Sequence, residues 1–197
     1  MNKSFSQACE NNKQPILQII KTIFLESSTV WEIGSGTGQH ACYFAHYLPH
    51  LNWQPTDKEE NIDGINCWVE ESGLSNCLQS LALNVMDKKW PCQTIDALFT
   101  ANTLHIMSWN EVDCFFAGLK AYLTENATVC IYGPFNYHGQ YTSNSNKQFD
   151  HWLKARAPQS GVRDFEAIEQ LAKTASLSIK NDFSMPANNR LLVFQKG

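Results

Sequence analysis

Hydrophobic patterns of helical and strand type alternate along the whole chain. Apolar side chains recur every three or four positions in residues 15–26, which predicts a helix with Pro15 in its first turn. Compact apolar runs bounded by turn-forming residues predict strands. We expect helices over residues 15–26, 39–48, 59–72, 109–123 and 164–175, and strands over residues 29–33, 52–56, 77–85, 95–101, 128–132, 177–183 and 191–195.

Five strands joined by helices, followed by two more strands, are typical of an α/β fold. The turn-like residues 184–189 predict that the last two strands form an antiparallel hairpin. We therefore expect a single domain over residues 1–197, with residues 1–28 as an N-terminal cap segment and helix. Its core would be a Rossmann-like, seven-stranded, mostly parallel sheet with helices on both faces. Ligands bind such sheets at the carboxyl ends of the strands, where we expect the functional loops.

The composition and net charge of the chain disfavour several classes of function. The net charge of −4 and the lack of a Lys/Arg run disfavour a nucleic-acid partner on electrostatic grounds. The seven cysteines form no CxxC pair, which favours reduced thiols over a disulfide framework or a metal site. Residues 1–7 lack the apolar core of a signal peptide, and no apolar run is long enough to cross a bilayer. We expect a cytoplasmic protein with no membrane partner, while the sequence leaves the oligomeric state open.

The sharpest motif follows the first predicted strand. Residues 32–38 read Glu-Ile-Gly-Ser-Gly-Thr-Gly and lead into a predicted helix, so backbone N–H groups can face a ligand. The spacing is GxGxG and not the GxGxxG of dinucleotide-binding folds. It resembles motif I of class I methyltransferases, where the loop lies against the methionine and ribose parts of S-adenosylmethionine. The candidate binding residues are Glu32, Gly34, Ser35, Gly36 and Gly38, and the alternative is a tight turn without a ligand.

Polar residues close the next two predicted strands. Asp57 is placed to accept hydrogen bonds from both hydroxyls of a ribose; alternatively, it is an acid at the start of the next helix. At the end of the third strand, class I methyltransferases hold the adenine with a polar side chain and the backbone of its neighbour. Asn84, Val85 and Asp87 are the candidates for this contact, and the alternative is an ordinary turn.

The site of methyl transfer is expected after the fourth strand. Ala101 and Asn102 would line the methionine end of the cofactor, and His105 would act as a general base unless it is a structural histidine. Tyr132 and a predicted loop over residues 136–146 would shape the acceptor pocket, unless the loop is simply a polar surface. The candidate catalytic residues are thus Asn102, His105 and Tyr132.

A polar segment precedes the first predicted helix. It contains Glu10, Asn12 and Lys13, and we expect it to fold over the cofactor as a cap. Asn12 would reach the amino-acid end of the cofactor; the alternative is that it is the N-cap of the helix.

Together these motifs are similar to the methyltransferase-like 26 family over nearly the whole chain. The matching residues are 5–6, 10, 12, 15–17, 36–40, 53–55, 57, 101–102, 105–106, 109, 132–135, 161, 163–164 and 185–189. The Gly-Thr-Gly-Gln-His run at 36–40 and the Met-Pro-Ala-Asn-Asn run at 185–189 are the most distinctive. Asn11 stands where the family pattern has an arginine, and Asn84 where it has an aspartate. The resemblance implies a class I methyltransferase fold and an S-adenosylmethionine site, but no particular substrate.

We expect direct in-line transfer of the methyl group to a small-molecule or protein acceptor, with S-adenosylhomocysteine as product and with no metal or covalent intermediate. Two alternatives stay open. A nicotinamide-dependent oxidoreductase would need GxGxxG and usually Tyr-x-x-x-Lys, and the sequence contains neither. A non-catalytic module would bind the cofactor or its product as a regulatory or scaffold protein, without turnover.

Overall fold

Helices and strands alternate as the sequence predicts. The computed structural model describes residues 3–197, so Met1 and Asn2, on which the signal-peptide prediction partly rests, lie outside the described residues. The helices are α1 (Gln7–Ile23), α2 (Gln39–Tyr47), α3 (Ile62–Ser72), α4 (Trp109–Tyr122), α5 (Asn144–Arg156) and α6 (Phe165–Thr174). The strands are β1 (Thr29–Ile33), β2 (Asn52–Asp57), β3 (Leu81–Ala82), β4 (Ile95–Ala101), β5 (Leu123–Gly133), β6 (Phe135–Asn136), β7 (Arg163–Asp164), β8 (Leu177–Met185) and β9 (Asn189–Lys196).

Seven strands form the central sheet in the order β3-β2-β1-β4-β5-β9-β8. β1 to β5 run parallel, whereas β9 is antiparallel to both β5 and β8. A 3-10 turn, Pro186–Asn188, joins β8 to β9. The prediction of a Rossmann-like, mostly parallel sheet that ends in an antiparallel hairpin is therefore confirmed.

A hydrophobic core lies on each face of the sheet. On one face α1, α2 and α3 pack through fully buried side chains such as Ile20, Phe44 and Ile65. On the other face α4 and α6 pack through residues such as Phe115 and Ile168. Within residues 3–197, none of the helices combines the length and the apolar character that crossing a bilayer demands.

The first helix begins eight residues earlier than predicted. Ser6 is its N-cap, and the Ser6 hydroxyl accepts a hydrogen bond from the backbone N–H of Cys9. Pro15 consequently lies inside the helix and not in its first turn, where it removes one donor to the carbonyl of Asn11. The first two turns are mostly polar, so hydrophobic periodicity detects only the second half of α1. Asn12 is thus a helical residue and not an N-cap.

The edge of the sheet beside β2 is irregular. Backbone bonds join Trp53 to Asn76 and Leu78, but Pro55 has no N–H to continue this ladder. The Gln54 side-chain amide donates instead to the carbonyls of Pro55 and Gln79. The predicted third strand over residues 77–85 is consequently reduced to the two residues of β3.

Helix α5 is not anticipated by the sequence analysis. The predicted polar loop over 136–146 is shorter, because β6 ends at Asn136 and α5 begins at Asn144. Ser143 caps α5 by accepting a hydrogen bond from the backbone N–H of Asn146. Most of the helix surface is polar and exposed, which weakens its hydrophobic periodicity.

Candidate functional site

A cavity of about 1050 Å³ opens at the carboxyl ends of the parallel strands. Its wall comprises the N-terminal part of α1, the loops that follow β1 to β5, one side of α5, and the turn between β8 and β9. Sites for small molecules usually have volumes of roughly 300–1,000 Å³, so this cavity could hold more than one ligand group. Function was expected at this edge of the sheet.

The glycine loop follows β1 and lines the cavity through Gly34, Ser35 and Gly36. Gly34 has a φ of +76°, and a Cβ there would lie 2.6 Å from a methyl carbon of Thr103. Gly36 has a φ of +59°, and a Cβ there would meet nothing within 4 Å. Gly34 therefore permits tight packing against Thr103, whereas Gly36 leaves its backbone open to the cavity.

Glu32 lies beneath this loop and does not line the cavity. Its side chain is buried, and its carboxyl accepts a hydrogen bond of 2.9 Å from the Trp53 indole. Burial raises the pKa of Glu32 to about 7. Gly38 also lies outside the cavity wall, where its left-handed backbone starts α2 against Ile65.

Asp57 stands at the end of β2, beside the open face of Gly36. Its Oδ2 accepts a hydrogen bond of 2.7 Å from the Gly36 backbone N–H. Its Oδ1 accepts from the Lys58 backbone and the Asn61 side chain, at 2.7 and 2.8 Å. A carboxylate oxygen can accept two hydrogen bonds, so Oδ2 keeps capacity for a ligand hydroxyl.

Beyond β3, the cavity wall is apolar. Leu83 and Val85 line it, whereas Asn84 and Asp87 do not. The Asn84 side chain accepts a hydrogen bond of 3.0 Å from the Met86 backbone, which is a local turn contact. Of the three residues predicted to contact adenine, only Val85 lies on the cavity surface.

The segment after β4 crosses the centre of the cavity. Ala101, Asn102 and His105 all line it. Asn102 has a φ of +58°, a left-handed conformation that asparagine tolerates better than most residues, and its N–H donates to the Tyr132 carbonyl. His105 is 6% exposed, and burial, aided by the Arg163 charge, lowers its pKa to about 4. The His105 imidazole is therefore neutral at pH 7.

A buried polar group of side chains lies between α1, α2 and β5. His40 Nε2 is 2.6 Å from Asn12 Oδ1, and burial lowers the His40 pKa to about 4. The Tyr132 side chain lies close to the side chains of Asn12 and Asn189, and burial raises the Tyr132 pKa. Asn12 and Tyr132, both predicted site residues, thus meet at one wall of the cavity.

Gln39, at the start of α2, connects the glycine loop to the N-terminal helix α1. Its amide oxygen accepts from the Ser6 backbone at 2.6 Å, and its amide nitrogen donates to Glu10 at 2.7 Å. Gln39 is also buried. The side chain therefore fixes the start of α1 beside the glycine loop.

The sequence analysis missed the α5 residues of the cavity wall. Phe149, Trp152, Leu153 and Arg156 line the cavity from this helix. The Asn146 side chain donates at 3.0 Å to the Asn188 carbonyl, which ties α5 to the turn between β8 and β9. Ser143 as a cap, followed by apolar residues at 149, 152 and 153, is the signal that could have revealed this helix.

Arg163 holds the loop that carries His105. Its guanidinium donates to the carbonyls of Leu104, at 3.0 Å, and Met107. The backbone N–H of Gly161 donates to the His105 carbonyl at 2.9 Å. These contacts leave the histidine ring on the cavity side of a fixed loop.

Asp150 joins α5 to the same segment. Its carboxylate is fully buried and accepts hydrogen bonds from Tyr141, Lys154 and the Val162 backbone, at 2.7, 2.7 and 2.8 Å. Burial alone would raise the Asp150 pKa, but these hydrogen bonds hold it below its ordinary value. The cavity-facing side of α5 is consequently set relative to His105.

The order of the strands divides the cavity into two halves. The loops after β3, β2 and β1 lie on one side, and β5, β9 and α5 lie on the other, with the loop after β4 between them. The first half offers backbone N–H groups, a carboxylate and an apolar wall. The second half offers aromatic side chains, and the loop between the halves carries the neutral His105. Within residues 3–197, three or more His, Cys, Asp or Glu side chains do not cluster as a metal site would require.

Solved structures with the same fold include several O-methyltransferases. An O-methyltransferase family protein from Burkholderia thailandensis matches 94% of this chain with a TM-score of 0.83 and 15% identity. The mitomycin 7-O-methyltransferase matches 96% with a TM-score of 0.85 and 12% identity. An O-methyltransferase from neocarzinostatin biosynthesis, solved with S-adenosylmethionine and 2-hydroxy-5-methyl naphthoic acid, matches 96% with a TM-score of 0.77 and 13% identity. At these identities the likeness shows the fold, which is that of class I methyltransferases.

The chain covers 56%, 54% and 55% of these three structures, so it spans little more than half their length. A family model described as a protein of unknown function, DUF938, matches residues 3–196. The resemblance to the methyltransferase-like 26 family stays a prediction. Since the match extends over almost the entire sequence, the chain belongs to the DUF938 family.

Proposed function

We propose that the half of the cavity formed by the loops after β1, β2 and β3 binds S-adenosylmethionine. The observation that carries this proposal is the 2.7 Å contact between the Gly36 N–H and Asp57 Oδ2. It places an open backbone turn beside a carboxylate that can still accept a ribose hydroxyl. Leu83 and Val85 supply an apolar surface for the flat adenine. In this proposal Glu32 and Gly38 support the loop without touching the ligand.

The other end of the cofactor would lie near the centre of the cavity. Asn12 and Tyr132 offer an amide and a hydroxyl to its amino-acid group, and Ala101 and Asn102 line the same region. When bound, S-adenosylmethionine supplies an electrophilic methyl group on a sulfonium. Since methyl transfer depends mainly on alignment and exclusion of water, a rigid and buried centre suits the reaction.

We assign His105 the role of general base for an acceptor hydroxyl. Its neutral imidazole, on the cavity surface, would accept the proton of the acceptor hydroxyl as that oxygen takes the methyl group from the bound donor, which would leave as S-adenosylhomocysteine. Arg163 and Gly161 fix the histidine loop and thereby the position of the base. Asn102 would position the acceptor or the methionine end beside it.

A small molecule is the acceptor that the cavity favours. α5 and the turn after β8 cover the second half of the cavity, which leaves a concave pocket and not a flat surface for a protein. The similar structures named as O-methyltransferases support an oxygen acceptor. All seven cysteines are free thiols, which supports a reducing compartment such as the cytoplasm.

Calorimetric titration with S-adenosylmethionine, S-adenosylhomocysteine and NAD tests the cofactor. We expect binding of the two adenosyl ligands and none of NAD. Asp57→Ala should weaken adenosyl binding by at least about tenfold, because a hydrogen bond to a charged group is worth roughly 1.5–3 kcal/mol.

Asp63→Ala is the matched control, since Asp63 is an exposed acid on the neighbouring α3 and does not line the cavity. It should leave the affinity unchanged. Binding of NAD alone, or equal effects of the two substitutions, would contradict the proposed cofactor site. Tight adenosyl binding without turnover on any acceptor would favour a non-catalytic module.

A further inference from the structure

A row of aromatic rings leads from His105 to the mouth of the cavity. The His105 and Phe149 rings meet edge to face, with centroids 5.2 Å apart. Phe149 and Trp152 are stacked, with centroids 5.8 Å apart and planes at 16°. All three line the cavity. Such a row offers flat apolar surface along which a planar ligand can lie.

A cation ends this row. The Arg156 guanidinium lies over the Trp152 ring, 4.6 Å from its centroid, and it too lines the cavity. In the described part of the chain, Arg156 forms no ion pair with a carboxylate. Arg156 lies in the last turn of α5, where the helix dipole favours a cation. Lys154 lies in the same turn, but its ammonium group is bound to Asp150. Arg156 is thus free to meet a ligand.

Charge is distributed unequally between the two halves of the cavity. The other cation on its surface, Lys58, is paired with Glu111 at 2.9 Å in the cofactor half. The carboxylate of Asp57 lies in that half as well. An anionic group is therefore favoured at the α5 end and disfavoured at the other end.

Exposed apolar side chains surround the same mouth. Ile106 and Trp152 line the cavity and are 61% and 51% exposed. A ligand that covers them would remove apolar surface from water.

We propose that the acceptor is a planar aromatic hydroxy acid. Its hydroxyl would meet His105, its ring would lie along Phe149 and Trp152, and its carboxylate would pair with Arg156. This inference rests on the proposed methyl transfer and adds the class of acceptor.

Binding of two matched probes to protein saturated with S-adenosylhomocysteine tests the proposal. The probes are 6-hydroxy-2-naphthoate, whose hydroxyl and carboxylate lie at opposite ends of the ring system, and the neutral 2-naphthol, titrated by calorimetry. The wild-type protein should bind the acid more tightly than the naphthol. Arg156→Gln should lower affinity for the acid by roughly fivefold, as for an exposed ion pair, and leave 2-naphthol unaffected. Trp152→Leu should weaken both probes by about fivefold, because it removes the stacking surface.

Lys147→Gln is the control, because it removes a cation from an exposed position of α5 that does not line the cavity. It should change neither affinity. Equal binding of the two probes by the wild-type protein, or the same preference in Arg156→Gln, would overturn the proposal. So would failure of both probes to bind a protein that binds S-adenosylhomocysteine. If that adenosyl ligand itself does not bind, the cofactor proposal fails first, and the two failures are thereby distinguished.

Discussion

The buried carboxyl of Glu32 should make the stability of the protein depend on pH. Its pKa is raised from 4.5 to about 7 in the folded state, chiefly by burial. Between these values the unfolded chain loses the proton while the folded protein keeps it, so the free energy of unfolding falls as pH rises. One pKa unit corresponds to about 1.4 kcal/mol, which makes the total loss roughly 3 kcal/mol by pH 8.

Glu32→Gln removes this titration and preserves the shape of the side chain. The amide oxygen can still accept the hydrogen bond that the Trp53 indole donates. We expect the variant to match the wild-type protein within about 1 kcal/mol at pH 5. At pH 8 the variant should be more stable by roughly 3 kcal/mol, because the wild-type protein then buries a charge.

Urea unfolding at pH 5, 6, 7 and 8 measures this difference. The lowered pKa values of His40 and His105 make stability rise with pH between about 4 and 6.5, but they act equally in both proteins and cancel. Glu26→Gln, which changes an exposed carboxylate, should have a small effect at every pH. A difference between Glu32→Gln and wild type that stays constant from pH 5 to 8 would refute the reasoning.

Three further substitutions test the glycine loop and the proposed base. Gly34→Ala should lower stability by about 2 kcal/mol or more in thermal unfolding, since the new Cβ would lie 2.6 Å from Thr103; Gly36→Ala, with open space at that point, should lose only about 1 kcal/mol. Similar losses in both would argue against the packing role of Gly34. His105→Gln should retain S-adenosylhomocysteine affinity but slow methylation of any acceptor by at least about 100-fold, and the wild-type rate should fall as pH drops towards about 4. An unaltered rate in the variant would exclude His105 as the base.

The parts of the fold that depend on local signals were predictable. β4 matches its predicted bounds because residues 95–101 form a largely apolar run, and five of the seven are buried. α4 begins at its predicted cap, where Ser108 and Glu111 form a capping box. The two-residue β3 could not be predicted from residues 77–85. Its length is set by the missing N–H of Pro55 and by the Gln54 side chain across the sheet.

Some residues of the candidate site were also predictable from local signals, whereas others depend on tertiary contacts. Residues on the loops directly after strands, such as Gly36, Asp57 and His105, line the cavity because the topology brings those loops together. Asn12 was predicted to reach the cofactor from a cap segment that precedes the first helix, whereas the structure places it inside α1. Phe149 and Arg156 depend on α5, whose placement follows from tertiary contacts of Asp150 and Asn146.

The two halves of the cavity come largely from different stretches of the chain, which can therefore tolerate different amino-acid substitutions. In the proposed assignment, residues 29–107 supply most of the contacts to the cofactor, while α5 and the turn after β8 come from later sequence. Substitutions in those later segments can then alter which molecule is accepted without disturbing the glycine loop or Asp57. A common methyl donor could thus be combined with diverging acceptors through changes confined to the final third of the polypeptide.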